Sequence, residues 1–288
     1  MTDLKITDVR VLPGDSGFLI DDGKTSILYD SGFAFTGYSL AENIKKALGE
    51  RELDYIFLTH SHYDHAAGSA YVKKVFPGAK IVAGQYAAKI FAKDSAKAVM
   101  RDLDRKFALK CGVEEYEDLI DNLCVDIPVA DGDKIAAGDM TFEVIHLPGH
   151  TRCSVGYYCK EKKFLLSPET LGVYGGKNIV VPAYLVGYTM SMESIAKAKN
   201  LDIEYILTPH FGILPKEETK TFLENAEKTY KAVAEKILHM VKIGRSDEEI
   251  LEYVSDNFYN EYTKTVYPKD AMELNTRIMI ELIKKEGM

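Results

Sequence analysis

The stretch THSHYDHAAG, residues 59–68, contains three of the seven histidines of the chain. His60 and His62 are two positions apart, so in extended backbone their side chains point the same way and can bind one ion. Asp64 and His65 lie where the chain turns into the next predicted helix, and they point elsewhere. Imidazole and carboxylate are ligands of zinc, iron and manganese. The spacing therefore predicts two adjacent metal positions.

The elements around this loop should hold it rigidly. The stretch LDYIFLTH before it is short and almost entirely apolar, which is typical of a strand buried on both faces. GSAYVKKVFPG after it has helical spacing and ends at a Pro-Gly pair. We therefore expect a strand, a metal-binding turn and a helix in succession.

One loop supplies too few ligands for two metal positions, so distant strand ends must supply the others. Three side chains stand where predicted strands stop: His150 in LPGHT, Glu169 in SPET and His210 in TPHFG. Sites in layered α/β folds collect residues from such edges. We therefore treat these three residues as candidate metal ligands.

Two regions have helical rather than strand patterns. Residues 85–125 carry alanine, lysine and leucine at helical spacing, which predicts a helical insertion. Residues 215–288 are predicted to be helical, with an apolar stripe over 222–241 and a helix C-terminal cap at Gly244. Ser246 and Glu249 form a predicted capping box for the next helix.

Composition excludes several classes of function. The net charge is -8, from 44 acidic and 36 basic side chains, and a nucleic-acid partner needs a concentrated positive surface. Neither a signal peptide nor a run of the ~20 apolar residues that span a membrane can be read. We therefore expect a cytoplasmic protein that has no nucleic-acid or membrane partner, with its four cysteines as free thiols.

THSHYDH, LPGHT, SPET and TPHFG, in this order, resemble the metallo-β-lactamase-fold hydrolases over about residues 8–214. Whether the chain is similar to the glyoxalase II-like or the lactonase-like branch stays open. The resemblance implies an α/β (α+β) fold, a four-layer αββα sandwich of two mixed β-sheets flanked by helices. With the helical pattern after residue 214, we therefore expect a catalytic domain over 1–214 and a helical C-terminal extension over 215–288. The extension either packs on the core or joins two copies in a homodimer.

The resemblance also implies roles for individual residues. A first metal would be held by His60, His62 and His150, and a second by Asp64, His65 and His210. Glu169 stands where the family usually has a bridging aspartate; with one more methylene it could bridge both ions, bind one, or favour a metal other than zinc. Residues 59–68 are called the metal loop below. Asp30, at the end of ILYD, would brace this loop by orienting a histidine.

The function implied is a metal-dependent, binuclear hydrolase acting on a small molecule. Two divalent cations, zinc first with iron or manganese as alternatives, would share a bridging hydroxide at neutral pH, which Asp64 orients. The substrate would be an ester, thioester, lactone or phosphodiester. Substrate contacts are expected from the loop over 172–188, which contains Tyr174, Tyr184 and Tyr188.

Two other functions remain open at this point. An iron-dependent oxidoreductase resembling the persulfide dioxygenases would use the same fold, and the unusual Glu169 is compatible with it. A ligand-binding or signalling protein with little turnover would keep the metal site without the chemistry. Metal identity distinguishes these functions, since two zinc ions favour hydrolysis and a single iron favours oxygen chemistry.

Overall fold

Residues 4–287, which a computed structural model describes, form fourteen strands and ten helices. The strands are β1 Lys5–Asp8, β2 Phe18–Asp21, β3 Ser26–Tyr29, β4 Tyr55–Phe57, β5 Lys80–Gly84, β6 Ile127–Val129, β7 Lys134–Ala137, β8 Met140–His146, β9 Val155–Cys159, β10 Phe164–Leu166, β11 Val173–Tyr174, β12 Val180–Val181, β13 Tyr205–Thr208 and β14 Gly212–Ile213. The helices are α1 Gly37–Leu48, α2 Tyr63–Ala66, α3 Ser69–Val75, α4 Gln85–Phe91, α5 Asp94–Lys110, α6 Tyr188–Lys199, α7 Lys216–Lys242, α8 Asp247–Phe258, α9 Thr263–Val266 and α10 Lys269–Glu286.

Two mixed sheets of six strands each form the β-structure, together with the small pair β11 and β12. In the first sheet the strands follow chain order, antiparallel from β1 to β3 and parallel from β3 to β6. The parallel pairs are connected by the helices α1 to α5, as parallel strands require. In the second sheet β7, β8 and β9 are antiparallel neighbours, β10 and β13 are parallel, and β13 and β14 are antiparallel.

The structure describes two compact units. Among the described residues, the first comprises 4–146 together with 155–162, and the second comprises 147–154 together with 163–287. In the first unit β2 and β3 are buried at every position, as in a sheet covered on both faces. The Phe57 ring of β4 packs edge-on against Phe142 of β8 at 5.4 Å and lies 4.6 Å from Tyr157 of β9. These contacts place β4 of the first sheet against β8 and β9 of the second.

The region predicted to be a helical insertion, residues 85–125, contains α4, α5 and a 3-10 turn over Ile120–Asn122, and it lies between strands β5 and β6. Helix α5 packs against α2, the helix that carries Asp64 and His65. The insertion thus borders the metal loop.

The second unit contains the C-terminal helices, and its predicted caps are confirmed. Gly244 has φ 76°, and Arg245 N–H donates to the Met240 carbonyl at 3.0 Å, which closes helix α7. Ser246 and Glu249 form the capping box of α8. Helix α7 packs against α6, α8, α10 and β12, so residues 215–287 are packed within this unit. The boundary at residue 214 stays a prediction. Over 4–287, every helix is too short or too polar to serve as a membrane span.

Candidate metal centre

The metal loop of the first unit follows the buried strand β4. His62 has extended backbone, with φ -68° and ψ 150°, and immediately precedes α2, which contains Asp64 and His65. His60 and His65 are fully buried, and the His60 ring centroid lies 4.6 Å from that of His62 and 4.1 Å from that of His65. The His65 Nε2 atom lies 3.6 Å from Asp64 Oδ2. The predicted change from extended backbone to helix therefore brings three imidazoles and one carboxylate together.

Asp30 fixes the orientation of the His65 ring directly and that of the His60 ring through Thr59. Its buried carboxylate accepts from the Thr59 backbone N–H at 2.8 Å and from the Thr59 hydroxyl, and Oδ2 lies 2.9 Å from His65 Nδ1. The Thr59 hydroxyl oxygen lies 2.9 Å from His60 Nδ1. A carboxylate can only accept, so His65 carries its proton on Nδ1 and presents the Nε2 lone pair. His60 is oriented in the same way through Thr59.

The backbone around Asp30 is adapted to this task. Asp30 has φ 52°, in the left-handed region that non-glycine residues seldom adopt, and such positions cluster at functional sites. The Ser31 N–H donates to the His65 carbonyl at 2.7 Å, and the Ser16 hydroxyl donates to the Asp64 carbonyl at 2.7 Å. A Cβ at Gly68 would lie 1.9 Å from the Ser31 carbonyl oxygen, so only glycine fits there. Sequence reasoning missed the roles of Thr59, Ser16 and Ser31.

In the second unit His150 is oriented by two hydrogen bonds. Its Nδ1 donates to the Ala183 carbonyl at 2.9 Å, and its backbone N–H donates to Thr170 Oγ1 at 3.2 Å. The residue before it, Gly149, has φ 140°, and a Cβ there would lie 2.1 Å from the Ser191 hydroxyl oxygen. His150 therefore also presents Nε2 as its lone-pair atom, since a carbonyl can only accept.

Glu169 lies between His150 and His210. It begins the 3-10 turn that follows β10, with Oε2 2.8 Å from His150 Nε2 and Oε1 3.4 Å from His210 Nε2. His210 has φ 62°, so it is the second predicted site residue in the left-handed region, after Asp30. The longer arm of glutamate thus reaches both imidazoles with one carboxylate.

This arrangement of side chains suits a bound cation. The His150 Nε2 lone pair faces a carboxylate oxygen at hydrogen-bond distance, and both side chains are buried. Two electron-rich atoms repel at that distance unless a positive charge lies with them, and buried charges are paired or coordinate metals. Neutral imidazole and carboxylate are also the ligand types that zinc, iron and manganese take. The residues present therefore fit a divalent cation.

The three tyrosines predicted to contact substrate differ in their surroundings. Tyr174 is 7% exposed, stacks on Phe211 with ring centroids 4.0 Å apart and donates to Glu218 at 3.2 Å. Tyr184 is fully buried, with its ring 5.5 Å from that of Tyr188, which is partly exposed. Burial and the neighbouring Glu218 raise the pKa of Tyr174 to about 12, so it keeps its proton near neutral pH. Their contact with substrate stays a prediction.

Every predicted ligand belongs to a group of histidine, aspartate and glutamate side chains that could hold a metal ion, within the described residues. The first unit brings together His60, His62, Asp64 and His65, and the second brings together His150, Glu169 and His210. The family model of the metallo-beta-lactamase superfamily matches residues 10–210.

The chain belongs to the metallo-beta-lactamase superfamily.

Several named relatives of this superfamily member are enzymes. A hydroxyacylglutathione hydrolase from Rhodopseudomonas palustris is 24% identical over 203 residues, which cover 69% of this chain and 64% of that protein. Another, from Bradyrhizobium sp., is 25% identical over 152 residues, 53% of this chain and 46% of that protein. An acyl-coenzyme A thioesterase from Gallus gallus is 27% identical over 175 residues, 58% of this chain and 60% of that protein. The chain therefore spans less than two thirds of the length of each.

Solved structures confirm the fold class. A metallo-beta-lactamase family protein from Thermus thermophilus superposes with a TM-score of 0.68 at 17% identity, covering 100% of this chain and 95% of that one. An archaeal metallo-beta-lactamase superfamily protein from Sulfolobus tokodaii gives a TM-score of 0.61 at 19% identity, covering 94% of each chain. Two mixed sheets flanked by helices, with a helical C-terminal region, are thus the architecture of this superfamily member.

Proposed function

We propose that the chain is a metal-dependent hydrolase with a binuclear centre. This proposal depends on one observation about His60, His65 and His150. In each ring Nδ1 has a hydrogen-bond partner in the protein, so Nε2 is the atom that would bind a metal. A histidine that merely packs in a core does not need this tautomer, whereas a metal ligand does. The family match over residues 10–210 includes both ligand sets and supports the same proposal.

In this proposal the two ligand sets share a pair of divalent cations, zinc first and iron or manganese as alternatives. Following the family resemblance, one cation is assigned to His60, His62 and His150, and the other to Asp64, His65 and His210. Glu169, whose carboxylate contacts both His150 and His210, would contribute its oxygens to this pair.

A pair of bound cations supplies a water-derived nucleophile at neutral pH and polarises a substrate oxygen. The residues of the chain provide the rest. Asp64, partly exposed at the start of α2, would orient the nucleophile. Asp30 and the Ala183 carbonyl hold the imidazoles of His65 and His150 in one orientation, so no reorganisation is needed during the reaction.

The substrate class proposed first is a thioester of a small acid. The relatives named above are called hydroxyacylglutathione hydrolases and an acyl-coenzyme A thioesterase, and both names denote cleavage of thioesters. Esters, lactones and phosphodiesters follow, because the same nucleophile attacks carbonyl and phosphoryl centres. The chain is further proposed to be cytoplasmic and to form a homodimer through its C-terminal helices, without a nucleic-acid partner.

The test combines metal analysis with two activity assays. Protein purified without added metal is analysed for zinc, iron and manganese, and then assayed with glutathione and coenzyme A thioesters. The matched pair is His210→Ala and His239→Ala, since His239 is an exposed histidine of α7 outside both ligand sets. We expect two zinc ions per chain and thioester cleavage in the wild type and in His239→Ala. His210→Ala should lose both metal and activity.

Other outcomes identify the alternatives. One iron per chain with oxygen uptake on a persulfide substrate would replace hydrolysis by dioxygenase chemistry. A full metal complement without turnover on thioesters, esters, lactones or phosphodiesters would favour a ligand-binding or signalling role. Metal content below one ion per chain in protein reconstituted with zinc would refute the metal centre.

A further inference from the structure

Tyr230 of helix α7 connects two segments that hold metal ligands in the second unit. Its side chain is fully buried, and its hydroxyl oxygen accepts the Ala183 backbone N–H at 3.0 Å. The same hydroxyl donates toward the carbonyl oxygens of Thr170, at 3.1 Å, and Glu169, at 3.4 Å. One phenol group therefore joins the turn that begins at Glu169 to the loop that contains Ala183.

Both of these segments orient His150. The Ala183 carbonyl accepts the His150 Nδ1 proton, and Thr170 Oγ1 accepts the His150 backbone N–H. A displacement of either segment would therefore move the His150 ring. A displacement of the turn would also move Glu169, whose carboxylate contacts His150 and His210.

We propose that Tyr230 is a positioning residue of the metal centre, which sets the geometry of His150 and Glu169 through Ala183 and Thr170. This inference rests on the proposed function. It also makes α7 a part of the metal centre, although the sequence resemblance ends before this helix begins.

The chemistry of the group fits a positioning role. A phenol hydroxyl can accept and donate hydrogen bonds at the same time. Phenylalanine would fill the same volume in the α7 interface, so packing alone does not require the oxygen. The hydroxyl instead forms hydrogen bonds with both segments, as an acceptor for that of Ala183 and as a donor for that of Thr170.

The chain offers a matched control in Tyr71 of α3. This tyrosine is 1% exposed, and its hydroxyl accepts the Leu119 backbone N–H at 3.1 Å and donates to the Glu117 carbonyl at 2.5 Å. Tyr71→Phe therefore also removes one accepted and one donated hydrogen bond of a buried hydroxyl. The segment that these bonds hold contains none of the predicted ligands. Any general effect of losing a buried hydroxyl should appear in both variants.

The experiment measures zinc affinity of the full chain by competition with a chromophoric chelator, independently of turnover. Changes around the groups that orient metal ligands typically lower metal affinity by about 10- to 100-fold. Because Tyr230 acts through backbone segments, we expect a loss of about 10-fold in Tyr230→Phe, at the low end of that range. Tyr71→Phe should stay within about 2-fold of the wild type, although denaturant unfolding should show comparable destabilisation of both variants.

A second measurement uses cobalt in place of zinc, because its visible absorption reports the geometry of the ligands. We expect a changed spectrum in Tyr230→Phe and the wild-type spectrum in Tyr71→Phe. Wild-type zinc affinity and cobalt spectrum in Tyr230→Phe would overturn the positioning role while leaving the metal centre intact. Equal losses in the two variants would also overturn it, as a general stability effect. A wild-type chain that binds neither metal would refute the proposed function itself.

Discussion

Asp104 of the helical insertion should make the stability of the chain depend on pH in an unusual direction. Its carboxylate is fully buried and accepts the backbone N–H groups of Ala34 and Phe35, at 2.8 and 3.3 Å, and the Tyr116 hydroxyl at 2.6 Å. Burial raises its pKa from 3.8 to about 6, against the opposing effect of these three donors. The folded state therefore binds a proton at Asp104 more tightly than the unfolded state does.

The sign and size follow from linkage. The stability contributed by this protonation is fully present below pH 3.8 and is lost as the pH rises through about 6. With these two values, lowering the pH from about 7 to about 5 increases the contribution of Asp104 to the free energy of unfolding by about 1 kcal/mol. The full effect, reached below the unfolded-state pKa, is about 3 kcal/mol.

The assay is urea unfolding of the wild type and Asp104→Asn near pH 5 and near pH 7. Asparagine has nearly the same shape but does not titrate, so the stability difference between the two proteins should change by about 1 kcal/mol between these pH values. Asp102→Asn is the control, because Asp102 lies on the same helix, is exposed and pairs with Lys106. A stability difference that is the same at both pH values would show that the pKa of Asp104 is not raised.

Three further predictions concern the metal centre. In Asp30→Asn an amide N–H replaces the oxygen that faces His65 Nδ1, which moves the ring proton to Nε2. Zinc affinity, measured by chelator competition, should therefore fall by about 10- to 100-fold. An unchanged affinity would contradict the assigned tautomer of His65. Gly149→Ala combines a strained φ with a clash against Ser191, so urea unfolding should show a loss of about 2 kcal/mol or more, whereas wild-type stability would mean that the segment can shift. Glu169→Asp shortens the side chain that contacts two imidazoles. It should lower both the zinc content after dialysis and the rate of thioester cleavage. Wild-type zinc content and rate would mean that the extra methylene of Glu169 has no role.

Much of the local structure could be predicted from the sequence. The turn from extended backbone into helix at 60–65 is set by the residues of that stretch, and so are the helical insertion and the cap of α7 at Gly244. The pairing of Ser246 with Glu249 is equally local, since the two are three residues apart. Periodicity and capping involve neighbours within one or two turns, so the sequence displays them directly.

The environment of each side chain was decided by tertiary structure. Tyr230 looks like one more member of an apolar stripe, and its contacts with Ala183 and Thr170 join residues 47 and 60 positions apart. In the sequence Asp104 resembles an ordinary charged residue of an exposed helix. In the structure it is buried, and a backbone N–H of the 33–36 loop donates a hydrogen bond to its carboxylate. A free energy of burial or orientation depends on every group packed around the atom, and those groups come together only when distant segments fold. The sequence alone therefore names candidate ligands, while the folded chain decides which atoms of those ligands are available for a metal.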